Sequence, residues 1–253
     1  MIKVKSLQEL NSLALRTRRL LGEDSYSPID LFSLVNGWLE MKITLISYPL
    51  SESISGMSTR VGKDIIIVIN SNSSYGRQRF TLAHELYHVL YEKDFKTIVC
   101  EKAISSNKSI SEKEADWFAS YLLMPQDALF AYKEKVSEWT LDKIIEAAQF
   151  FQESHECMLF RLYMDKLISQ RKMEEFKKIP VSNRAVLLGY GKELYSTLSN
   201  RNQYFTTGEY IRKVETLSKM DLISTSKREE LLMDAFREDM VYGLVEEEFV
   251  LND

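Results

Sequence analysis

The sequence predicts an α+β fold, with a small antiparallel sheet packed on helices, one of which carries HELYH, followed by an all-helical C-terminal region. Three observations predict it. Runs with strand character are confined to residues 41–70, apolar residues recur at helical spacing on both sides of them, and 253 residues with 45% apolar content suffice for one large domain or two modest ones.

Leu10, Leu13, Leu15, Leu20 and Leu21, with basic residues between them, predict an amphipathic first helix over residues 7–21. Pro28, with Ser27 as its cap, marks the start of a second helix that Gly37 ends. MKITLISY, SGMSTRV and DIIIVIN then read as strands, with Gly62 and Lys63 forming the hairpin connection between the last two. The helix containing HELYH comes next. EKDFKTIVCEKAISSNKS reads as a loop with a short ordered piece, and Ser111 with Glu114 resembles a capping box for a helix that stops before Pro125. From Thr140 to Lys178 the pattern is two helices broken at 152–154. Pro180 marks the boundary of the C-terminal part. The expected division is therefore 1–178, including a helix-turn-helix-like extension at 140–178, and a helical region at 179–253 of no assigned role.

A formal charge of −4 gives no overall attraction for nucleic acid, although a local basic patch around Lys3, Arg18 and Arg19 is conceivable. Two cysteines make no disulfide framework and suit a reducing compartment. The charged N-terminal stretch lacks the apolar core of a secretory signal, and no apolar run approaches the ~20 residues of a membrane span. The expected location is the cytoplasm.

On a helix, His84 and His88 stand one turn apart on one face and can present both imidazoles to a zinc ion at about 2.1 Å. Glu85, beside them but out of line, suits a general base for the attacking water. The surrounding apolar residues Phe80, Leu82, Ala83, Leu86, Val89 and Leu90 put these histidines on a buried helix, where an unpaired imidazole is costly. Catalytic zinc keeps three protein ligands and one open position. His155 is the remaining histidine, but Glu112 is the stronger third ligand, because Asp116 one turn later can accept a hydrogen bond from a ligand histidine. Glu114 points elsewhere at this spacing. The alternative for this second segment alone is a solvated acidic helix start.

RQRFTLAHELYHVL, EKEADWFASYLLMP and SHECMLFRL in this order, with the upstream ISG at 54–56 and IVIN at 67–70, resemble the ImmA/IrrE family of metallopeptidases over roughly residues 27–166. The resemblance implies a zinc-dependent endopeptidase of bacterial, phage or mobile-element origin, with Zn2+ on His84, His88 and Glu112 and with Glu85 catalytic. It also implies a substrate: a DNA-binding repressor of the helix-turn-helix type encoded nearby, whose cleavage derepresses a regulon or an integrated element. Tyr87 departs from the glycine frequent in the family, and Asp116 stands where asparagine is also common. The competing reading is a non-catalytic or toxin/antitoxin-type regulator that acts by binding a helix-turn-helix partner.

Lesser features take plainer readings. Ser154 caps a helix, His155 occupies its exposed first turn, and Cys157 packs as a small apolar residue. Tyr87 and Tyr91 are conceivable oxyanion donors. The strand containing Ser55, Gly56, Met57 and Ser58 is expected to form the sheet edge above the cleft, where an extended substrate adds as another strand.

Overall fold

The structure, a computed structural model, describes residues 4–92, 97–101, 109–197 and 203–243. Helices α1 (Leu7–Leu20) and α2 (Leu31–Gly37) precede strands β1 (Ile43–Tyr48), β2 (Ile54–Val61) and β3 (Asp64–Asn70). Helix α3 (Tyr75–Tyr91), strand β4 (Thr97–Glu101) and helix α4 (Ile110–Leu123) follow, and then α5 (Gln126–Lys133), α6 (Leu141–Phe151), α7 (His155–Met164), α8 (Gln170–Lys177) and α9 (Ser182–Leu187). The C-terminal region adds β5 (Phe205–Gly208), α10 (Glu209–Lys219), α11 (Thr225–Asp234) and α12 (Glu238–Tyr242).

The α+β class is as expected, and the sheet is mixed, in the order β4-β2-β3-β1-β5. The β2–β3 hairpin is antiparallel, with Val61 opposite Asp64, whereas β1 runs parallel to β3. The helical C-terminal region contributes β5, which pairs antiparallel with β1. β2 is not an edge: β3 bonds one side and β4 the other. The backbone of Ser55, Gly56, Met57 and Ser58 therefore has no free ladder for a substrate strand, and the expectation of strand addition there is overturned. The segment read as a loop with a short ordered piece supplies β4, and β4 takes the edge.

Alternation along DIIIVIN explains the packing. Ile65, Ile67 and Ile69 are buried and join Ile43 and Leu45 of β1 against Leu82, Leu86 and Phe118 of α3 and α4. A second apolar core, built on Leu129, Ile144, Phe151, Met158 and Leu162, holds α5 to α8 together. Local caps set several boundaries. Asp30 rather than Ser27 caps α2, and Ser109 rather than Ser111 caps α4 by accepting from the Glu112 N–H. Ser154 caps α7 as expected. Arg18, read as part of a surface basic patch, is instead buried and donates to the carbonyls of Asp24, Ser27 and Leu122. Among the described residues no helix is long and apolar enough to cross a membrane.

Candidate metal centre

Helix α3 positions the first three groups. Its apolar residues Leu82, Ala83, Leu86 and Val89 bury one side, and the i, i+4 spacing brings His84 Nε2 and His88 Nε2 to 3.1 Å. Helix α4 crosses α3 and delivers Glu112, with Oε2 at 3.3 Å from His84 Nε2 and Oε1 at 3.3 Å from His88 Nε2. Asp116, one turn further along α4, lies 2.9 Å from His84 Nδ1. The structure thus brings together His84, His88, Glu112 and Asp116.

These separations fit a cation. Ligand atoms held tetrahedrally at 2.0–2.1 Å from one ion stand about 3.3–3.4 Å apart. The two Nε2 atoms can share one proton as a hydrogen bond, or both can turn lone pairs to a cation placed between them and Glu112. The local electrostatics agree. Burial lowers the His84 imidazole, but hydrogen bonds to Asp116 and Glu112 and the nearby Glu85 charge outweigh it and raise it to about 9. Burial raises the Glu112 carboxyl, yet its bonds to His84 and His88 prevail and hold it well below the usual carboxylate range. On His88, Glu92 Oε1 lies 3.0 Å from Nδ1 but out of line for a hydrogen bond, leaving that nitrogen without an aligned partner.

Glu85 is fully buried. Ser58 Oγ donates to its Oε2 at 2.5 Å, while its Oε1 has no hydrogen-bond partner. Gly56 makes room here: a Cβ at this position would stand 2.6 Å from Thr81 Cγ2 and 3.3 Å from Glu85 Oε1. Ser58 therefore supports Glu85 from the sheet, and Ser55 Oγ donates to the Cys100 carbonyl.

Two residues of the site escape sequence reasoning. Cys100, on β4, has its sulfur within 4.8 Å of the ligand atoms of His84, His88 and Glu112. Glu92 follows α3 at i+4 from His88. The i+4 spacing was a signal for Glu92; Cys100 had none, because only the sheet register brings it in. His155 belongs elsewhere. It is buried rather than exposed, its Nε2 donates to the Phe176 carbonyl at 3.1 Å, and burial lowers its pKa against the opposing effect of that bond. Tyr87 and Tyr91 face away from the centre. The Tyr87 hydroxyl donates to Glu114 and accepts from Lys5 Nζ, and the Tyr91 hydroxyl pairs with Thr17 at 2.8 Å. Neither can serve an oxyanion. A cavity lined by residues that include Arg77, Phe80, Asp116, Ser120, Glu156 and Phe160 adjoins the site at Asp116.

Two imidazoles from one helix and a carboxylate from the next, with a buried glutamate beside them, define a site able to hold one divalent cation. Residues 41–163 match the peptidase family Peptidase_M78, described as the IrrE N-terminal-like domain. Immunity region protein 2 of Bacillus phage phi105 is 30% identical over 118 residues, which cover 47% of this chain and 70% of that protein. The chain belongs to this ImmA/IrrE family of peptidases. A Mycobacterium tuberculosis transcriptional regulator of known structure superposes with a TM-score of 0.44 at 13% identity. That superposition covers 62% of this chain and 46% of the regulator, and it is too shallow to bear on fold or function.

Proposed function

We propose that the chain is a zinc-dependent endopeptidase that cleaves a DNA-binding repressor of the helix-turn-helix type in the cytoplasm of a bacterial host. The observation that carries the peptidase reading is the pair His84 Nε2 and His88 Nε2, 3.1 Å apart and each 3.3 Å from a different oxygen of Glu112, beside the buried Glu85. Zn2+ held by these three residues would supply Lewis-acid activation of water and of the scissile carbonyl. Every other part of the chemistry falls to the protein.

Asp116 accepts the Nδ1 proton of His84, which fixes the ring and leaves Nε2 free as a donor of electrons. Ser58 holds one Glu85 oxygen by a hydrogen bond, so the other, Oε1, is the atom that takes the proton of the attacking water and returns it to the leaving amide nitrogen. The repressor as substrate is supported by family membership and by likeness to an immunity-region protein of a phage.

The test is direct. Zinc-loaded protein mixed with the helix-turn-helix repressor encoded beside it should yield two repressor fragments, and Glu85→Gln should bind one equivalent of zinc while leaving the repressor whole. An intact repressor with the wild type, or equal cutting by Glu85→Gln, overturns the reading.

A further inference from the structure

Cys100 is a potential ligand at the metal centre that has no part in the chemistry above. It sits on the edge strand β4, directly opposite Gly56 of β2, and residues opposite each other in an antiparallel pair share a face. Gly56 faces α3, since a Cβ there would meet Thr81 and Glu85, so Cys100 faces α3 as well. The β2–β4 register shifts between Ile54 and Gly56, which makes Ser55 the extra residue of a bulge. Bulges re-aim neighbouring side chains, and this one lies beside the cysteine.

Cys100 is 1% exposed, and its sulfur stands 3.9 Å from Glu112 Oε1. A buried thiol in an apolar setting would be ordinary filler. This one has two imidazole nitrogens and a carboxylate oxygen within 4.8 Å. In a tetrahedral site with a metal–sulfur bond of about 2.3 Å and a metal–oxygen bond of about 2.0 Å, sulfur and oxygen stand roughly 3.5 Å apart. The sulfur stands further out than this, 3.9 Å from Glu112 Oε1 and within 4.8 Å of the imidazole nitrogens, so coordination requires the Cys100 side chain to move in toward the other ligands.

We propose that Cys100 is a fourth protein ligand that closes the metal centre in the resting protein, a proposal that rests on the zinc reading above. On coordination the thiol releases its proton to solvent and the sulfur takes the position that an incoming water or substrate needs. No oxidant or reductant is involved. Four protein ligands are the arrangement of a closed, structural zinc site, and three with an open position that of a catalytic one. The centre is therefore latent while Cys100 is bound and competent once it leaves. β4 suits that exchange, because among the described residues it is bonded to the sheet through β2 alone.

The experiment uses the full chain with Co2+ in place of zinc. The wild type should take up one equivalent and show the intense near-ultraviolet sulfur-to-cobalt charge-transfer band. Cys100→Ser should still take up one equivalent and lack the band, while Cys157→Ser keeps it. In the unmodified protein, one equivalent of zinc should shield Cys100, mapped by mass spectrometry, from an alkylating reagent, a measurement that needs no variant to fold. One equivalent of cobalt bound without the band, or zinc that leaves Cys100 as reactive as before, overturns the proposal and leaves the three-ligand site standing. Failure to bind any metal overturns both.

Discussion

Glu85 and Glu153 are both fully buried carboxylates, one in the metal centre and one at the turn between α6 and α7, and their surroundings differ in kind. Glu85 is held by Ser58 on one oxygen and keeps the other unpartnered beside two histidines. Glu153 has Arg79, Arg161 and Arg77 as its charged neighbours, yet neither of its oxygens has an aligned hydrogen-bond partner. Two of these arginines are occupied elsewhere: Arg79 donates to the carbonyls of Gln152 and Ile29, and Arg161 to Asp165, Ser120 and Met124. Burial consequently raises the Glu153 carboxyl to about 8, with the arginine charges opposing it only in part. Burial of an acid does not by itself mark a reactive site. What distinguishes Glu85 is a fixed oxygen, a free oxygen and side chains next to it that could hold a metal ion.

The largest expected effect separates the two acids by activity. Glu85→Gln should lower the cleavage rate by at least about 10²–10⁴-fold, whereas Glu153→Gln should cleave nearly as the wild type does, measured by repressor digestion. A comparable loss in both variants would erase the distinction.

The next contrast is one of stability. The folded Glu153 carboxyl, at about 8, lies above its ordinary value of 4.5. At low pH both the folded and the unfolded chain are protonated there and the fold keeps its full stability. As pH rises from 4.5 to 8 the unfolded chain loses that proton and the folded one keeps it, so stability falls. Denaturant titrations should show a loss of a few kcal/mol across this window that Glu153→Gln abolishes. A flat wild-type profile would mean that the arginines hold Glu153 ionised.

Smaller effects sharpen the picture around Glu85. Asp116→Ala should weaken zinc binding about 10–100-fold, read by chelator competition, with the fold intact. Tyr87→Phe removes a buried hydroxyl that bridges Lys5 and Glu114, and should cost about 1–2 kcal/mol of stability while zinc affinity holds. A matching drop in affinity would tie Tyr87 to the centre after all.

The same contrast shows what the sequence makes legible. His84, Glu85 and His88 belong to one helix, so their geometry follows from spacing alone, and Glu112 with Asp116 repeats that logic on α4. Contacts set by distant pairing were not readable. Cys100 reaches the centre because β4 pairs with β2 across some 45 residues, and the same pairing removes the edge that Ser55 to Ser58 were expected to offer. β5 joins β1 from more than 150 residues away, and its short FTTG run gives little strand signal. His155 at a helix start resembles an exposed residue until α8 covers it. The cap falls elsewhere than expected where several Ser or Asp residues compete, three residues later at Asp30 and two earlier at Ser109.

Lys5 fastens the segment leading into α1 to α4: its backbone N–H and its ammonium both bond Glu114, two residues beyond Glu112. That clasp makes the beginning of α1 a handle on a proposed metal ligand more than one hundred residues away in the chain. A fusion partner or purification tag joined ahead of Lys5 would pull on the turn that carries Glu112, so one placed after α12 is the better choice for measuring metal affinity.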